Sequence, residues 1–168
     1  MIAYLPALIF LGLLSTAALS DIASMKIPNW ISIVLASFYP VLALAFGTPL
    51  SEIGLHILAG AAMLVFGFVL FQFRIIGGGD AKVLAAAAVW TGFEALMPFG
   101  YWTVLAGGAL ALALLIARGT VPPHPYFPSF AIRLLQPTCG IPYGVAICVG
   151  GVAALSEMSL TASALTLP

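Results

Sequence analysis

Arg74-Ile75-Ile76-Gly77-Gly78-Gly79-Asp80-Ala81-Lys82 joins two long apolar stretches and sets a carboxylate between two cations where they meet. Charge beside hydrocarbon is costly, so an ionisable residue at a membrane edge points to function, and the glycines before it let another backbone come close. A second aspartate, Asp21, stands at the end of an earlier apolar stretch. Two such aspartates suggest acid/base chemistry at a membrane surface.

Composition places the rest of the chain around that junction. With 63% hydrophobic and 6% charged residues and a mean hydropathy of +1.21, it lies far from the soluble norm of about a quarter charged. The expectation is an all-α polytopic membrane protein forming one integral-membrane domain over residues 1–168. Net charge is zero and there is no basic run, so neither nucleic acid nor a polybasic lipid tether is indicated as a partner. Lys26 follows the first apolar run instead of preceding it, which argues for a retained first span and against a cleaved signal peptide.

Apolar stretches of spanning or near-spanning length run from Ile2 to Leu19, Trp30 to Phe46, Ile53 to Phe73, Ala81 to Leu96, Phe99 to Ala117 and Ile141 to Leu155, which predicts six transmembrane helices. Pro28, Pro49, Pro98 and Pro142 mark the joints. With six spans, all five cations (Lys26, Arg74, Lys82, Arg118 and Arg133) fall in odd-numbered loops, and Glu52, Glu94 and Glu157 fall on the other side. The positive-inside rule then puts the odd loops in the cytoplasm and both termini outside. Asp21 and Asp80 are the two acids left on the cation-rich face, either as neutralisers of Lys26 and Lys82 or as a functional pair.

The local sequence around each aspartate permits both readings. Pro28 disfavours helix at Ile27 and Asn29 can cap the next segment, so Asp21 closes the first helix at a turn. Asp80 follows three glycines and opens a good helix start, as N-cap or first-turn residue. In an aspartyl protease two carboxylates share one proton: the ionised one takes a proton from water while the protonated one polarises the scissile carbonyl. Packing the first and fourth segments together would supply such a pair.

Three motifs in order carry a resemblance. Gly77-Gly78-Gly79-Asp80-Ala81-Lys82, Asp21 with Ile27-Pro28-Asn29 downstream, and Ile141-Pro142-Tyr143-Gly144-Val145-Ala146-Ile147 together resemble the prepilin peptidases, integral-membrane aspartyl proteases of the GxGD class. The resemblance implies that Asp21 and Asp80 are the catalytic pair, and that a short basic leader is cleaved from a prepilin or pseudopilin at the cytoplasmic face of the cytoplasmic membrane. It also implies that no cofactor is needed. Larger, bifunctional members carry paired CxxC motifs and also N-methylate the pilin. No CxxC occurs here, so the chain is more similar to the compact peptidases of Flp pilus systems, with archaeal preflagellin peptidases a close second.

Other residues border this expected site. Lys82 is read as a tuner of Asp80, a substrate contact or a plain cytoplasmic anchor, and Gly77 to Gly79 as an extended edge for a substrate strand or a tight turn. Pro28, Asn29, Pro142, Tyr143 and Gly144 are expected near the site, with Gly144 also suited to close helix packing. The connection from Arg118 to Gly140 holds Pro122, Pro123, Pro125, Pro128 and Pro137, so it is not one helix; its apolar second half is expected at the interface, with Arg133 reaching headgroups, as a lid or docking surface. Cys139 and Cys148 are not expected to pair, and His56 and His124 lie in different segments without metal-ligand spacing, so no metal site is expected. The rival from another class is a small transporter or channel using both aspartates for protons or cations. It fits less well, because coupling acids usually lie near the midplane and no halves repeat. A serine hydrolase is disfavoured by the lack of a GxSxG elbow.

Overall fold

The computed structural model describes residues 4–122, 124 and 126–158. Its helices are α1 (Leu5–Ser24), α2 (Asn29–Ala45), α3 (Leu50–Gln72), α4 (Gly78–Thr91), α5 (Leu96–Thr120), α6 (Ser129–Leu134) and α7 (Tyr143–Ala154), the last continued by a short 3-10 turn at Leu155–Glu157. No strand occurs among the described residues. α1, α3 and α5 are long and apolar enough to cross a membrane, whereas α2 and the α7 segment are shorter apolar helices. Large side chains such as Leu8, Val65, Val104 and Leu115 point outward. An apolar exterior of this kind needs lipid as its solvent, and the chain is an integral membrane protein.

The centre of the bundle is α4. Ten of its fourteen residues are buried, and it packs chiefly against α3 and α2, with α7, α1 and α5 around it. Its Ala85-Ala86-Ala87-Ala88 run has no polar face, and a helix apolar all round belongs inside. Glycines on α3 seat it: a Cβ at Gly60 would lie 2.3 Å from Val89 Cγ2, and one at Gly67 would lie 3.1 Å from the Ala81 methyl. Close approach through small residues is how membrane helices gain contact without a hydrophobic driving force. Phe10, Leu14, Leu35, Tyr39, Val83, Trp90, Phe99 and Ile147 complete the core around this axis.

Boundaries differ from expectation at several joints. The opening residues of the first predicted span lie outside the described residues. Asp21 does not close the first helix: α1 runs on to Ser24, and Met25 at φ 54° ends it in the left-handed region. The fourth segment is Gly78–Thr91, not Ala81 to Leu96, because Asp80 caps it early and Gly92 at φ 58° stops it. Fourteen residues rise only about 21 Å. α5 begins at Leu96 and takes Pro98 into its first turn, where a missing N–H costs nothing. Within the long connection, Ser129–Leu134 forms α6, while Pro123 and Pro125 lie outside the described residues.

Candidate active site

One end of the bundle collects the sequence-predicted residues. There the C-terminus of α1, the N-termini of α2, α4 and α7, and the loop after α3 converge, as contacts among Ile27, Phe71, Gly78, Gly79 and Gly144 show. Asp21 comes from the last turn of α1 and Asp80 is the third residue of α4. Both are buried, at 4% and 9% exposure.

Each carboxylate answers an unsatisfied helix N-terminus. The first N–H groups of a helix have no partner within it, and a carboxylate there is also favoured by the helix dipole. Asp80 Oδ2 accepts the Gly77 N–H at 3.1 Å, half of a capping box on its own helix. Asp21 Oδ2 accepts the Gly144 N–H at 2.8 Å, capping α7 from a different helix. Gly144 makes that approach possible, since a Cβ there would lie 3.1 Å from both Asp21 Cβ and Oδ2.

Capping does not account for the space around the pair. Asp21 and Asp80 together line a basin of about 530 Å3 walled by Ser20, Ser24, Pro28 and Asn29. They also line a second basin of about 340 Å3, bounded by Phe71, Arg74, Gly140 and Tyr143. Asp80 further forms the polar end of an apolar cavity of about 480 Å3 between α3, α4, α5 and α7. Asp80 precedes the apolar run of its helix, and its carboxyl is pushed up to about 7, first by burial and then by the charge of Asp21, against the opposing pull of the Gly77 N–H. The two groups share both basins, and the charge of Asp21 adds to the effect of burial on the Asp80 proton.

The other expected neighbours divide. Gly77, Gly78, Gly79, Pro28 and Asn29 line the first basin. Tyr143 lines the second and the apolar cavity. Pro142 is the N-cap of α7. The glycine run is not an extended edge: only Gly77 is extended, and Gly78 and Gly79 are already helical because Asp80 holds the N-cap N–H. Gly79 instead lets Ile27 approach, with a Cβ there falling 3.3 Å from Ile27 Cβ. Lys82 is bonded to Asn29 Oδ1 at 2.9 Å, linking α4 to α2 rather than serving as the counter-charge of Asp80. Asn29 is consequently not a cap; Pro28 takes the N-cap position of α2.

Two residues that sequence reading treats as loop anchors act here. Arg133 turns its Nη2 toward α1, donating to the Ile22 and Ala23 carbonyls, directly after Asp21. Arg118 donates to the carbonyls of Leu134, Cys139 and Gly140. Neither contact leaves a motif, because backbone carbonyls are blind to residue type. No group of three or more His, Cys, Asp or Glu suited to a metal occurs among the described residues. Cys139 and Cys148 are free thiols, and His124 stacks on Tyr126 in its loop.

Comparisons with known proteins bear on this geometry. The model of the type IV leader peptidase family matches residues 8–112, which include Asp21 and Asp80. A protein of Bacillus subtilis (strain 168) described as "Prepilin leader peptidase/N-methyltransferase" is 34% identical over 131 residues, covering 75% of this chain and 52% of that protein. The chain thus spans about half the length of that relative. No solved structure gives a match.

Proposed function

Since the chain belongs to the type IV leader peptidase family, we propose that it is a membrane aspartyl endopeptidase that removes the short basic leader from prepilins or pseudopilins. The observation that carries the proposal is the buried pair Asp21 and Asp80, lining shared basins at one end of the bundle; burial and the charge of Asp21 push the Asp80 carboxyl up to about 7, in keeping with it. In this reading Asp80 is the acid and Asp21 the base. Asp21 takes a proton from water as the oxygen attacks the scissile carbonyl; Asp80 donates its proton to that carbonyl oxygen. Collapse of the tetrahedral species passes a proton to the leaving amine and restores the singly protonated pair.

The proposed setting follows from the charges. In this reading α2, the apolar run of α4 after Asp80, and α7 are short spans, and the positive-inside rule supports aspartates at the cytoplasmic face of the cytoplasmic membrane with both termini outside. A leader retained in the cytoplasm would then meet the basins while the apolar segment behind it stays in the bilayer. Nothing comparable supports a transporter, whose coupling acids would lie deeper.

Co-expression with a candidate prepilin tests the proposal. Leader removal is expected for the wild type and is expected to vanish for Asp21→Asn and Asp80→Asn at equal membrane abundance. Cleavage surviving in either variant overturns it.

A further inference from the structure

The bond from Gly144 to Asp21 joins positions 123 residues apart, and both of its ends are held by arginines from elsewhere. On the Gly144 side, the chain enters α7 through the irregular stretch Cys139-Gly140-Ile141-Pro142. Arg118, in the last turn of α5, reaches across this stretch. Its Nε donates to Leu134 O at 2.9 Å, and its Nη2 donates to Cys139 O at 2.9 Å and Gly140 O at 3.0 Å. On the Asp21 side, α1 has no basic residue in its own last turn. Arg133 supplies one from α6, donating from Nη2 to Ile22 O at 3.3 Å and to Ala23 O. These are carbonyls that the end of a helix leaves without intrahelical partners, and a cation is favoured there.

We infer that Arg118 and Arg133 are positioning residues that hold the Gly144 N–H against the Asp21 carboxylate. Arg118 fixes where α7 starts, and Arg133 fixes the turn that carries Asp21. Arg133 and Leu134, the residue that accepts from Arg118, are neighbours at the C-terminal end of α6, so the two contacts meet there and brace one another. The role depends on the planar guanidinium. Lysine keeps the charge but offers a single nitrogen, which does not reproduce donation from Nε and Nη2 to three carbonyls in different directions.

The effect on rate rests on the peptidase reading, whereas the clamp itself does not, so two readouts separate them. With purified protein and a prepilin substrate, Arg118→Ala and Arg133→Ala are expected to lower kcat by about tenfold with KM changed less than about twofold, since the first loses charge-assisted hydrogen bonds that place the Gly144 N–H and the second those that place Asp21. Arg118→Lys is expected to stay at least about fivefold impaired. Were Arg118 only a cytoplasmic anchor charge, the lysine variant would match the wild type, and that result overturns the positioning role. Independently of cleavage, Cys139 reports on the clamp, because its carbonyl is one of the bonds of Arg118. With Cys148 replaced by serine, maleimide labelling of Cys139 is expected to run at least about fivefold faster in Arg118→Ala and Arg118→Lys. Unchanged labelling overturns the clamp even if no prepilin is cleaved; faster labelling with wild-type kcat overturns its link to the reaction.

Discussion

Adding one methyl group at Gly144 tests the active-site geometry most directly. In Gly144→Ala the new Cβ would stand 3.1 Å from both Asp21 Cβ and Asp21 Oδ2 and 3.3 Å from Ile27 Cδ1. Comfortable carbon contacts lie at about 3.5–4.0 Å. α1 and α7 therefore have to separate by roughly half an ångström, which stretches the 2.8 Å bond from Gly144 N–H to Asp21 beyond the roughly 3.2 Å limit of a good N–H···O contact. A hydrogen bond to a charged group contributes about 1.5–3 kcal/mol, and each ~1.4 kcal/mol is tenfold in rate. Partial loss then predicts a kcat about tenfold lower, and full loss about a hundredfold, with KM nearly unchanged. The assay is steady-state cleavage of a prepilin by purified protein, with thermal unfolding followed in parallel. Gly12→Ala is the matched control, because its Cβ would meet nothing within 4 Å. A folded Gly144→Ala enzyme with wild-type kcat refutes the claim that this bond places the reacting carboxylate.

Four further outcomes are expected. Asp80 needs its proton to polarise the carbonyl, and that proton is lost near pH 7, so cleavage falls about tenfold per pH unit above neutrality; a flat rate to pH 9 contradicts the assignment. The same raised pKa means the folded state binds the proton more tightly than the unfolded state, so the Asp80 contribution to stability falls as pH rises from about 4 to about 7 and levels off above; Asp80→Asn makes the pH slope of thermal melts shallower. His56 is buried, bonds Val89 O through Nδ1 at 2.9 Å and stacks on Tyr39 at 4.5 Å, so His56→Ala costs roughly 2–3 kcal/mol while the kcat of the folded fraction stays unchanged. Gly60→Ala drives a methyl to 2.3 Å from Val89 Cγ2 and 3.2 Å from Ala85 O, and a loss of roughly 1–3 kcal/mol is expected in the same melts.

The placement of Asp21 and Asp80 at one end of the bundle is legible in the sequence because charge is so rare in it. Five acids and five cations sort by loop parity, and that count leaves Asp21 and Asp80 together on one face. The partners of those carboxylates are not legible, because both are backbone N–H groups. Gly144 hints at close packing but not at what approaches it. The partners of the two arginines are hidden for a related reason: loop parity treats them as charges and leaves no trace of the carbonyls to which they donate. Helix ends are lost where side chains override the apolar pattern, as where α1 carries Asp21 inside its last turn before stopping at Met25. The central place of α4 is half legible. Its alanine run lacks a polar face, but only the packing of Gly60 and Gly67 shows which helix it leans on.

The enclosure of α4 also sets how the chain can drift. Ala87, Ala88 and Trp90 are hemmed in on every side, so almost any enlargement there displaces the helix whose first turn bears Asp80. α5 buries only Phe99 and Gly107 along twenty-five residues, and its outward positions accept one apolar side chain for another. Substitutions thus have room to accumulate on the lipid-facing rim while the axis stays closed to them, and a saturation library is expected to tolerate change at Val104 and Leu115 but reject it at Ala87 and Ala88, which have no exposed surface at all.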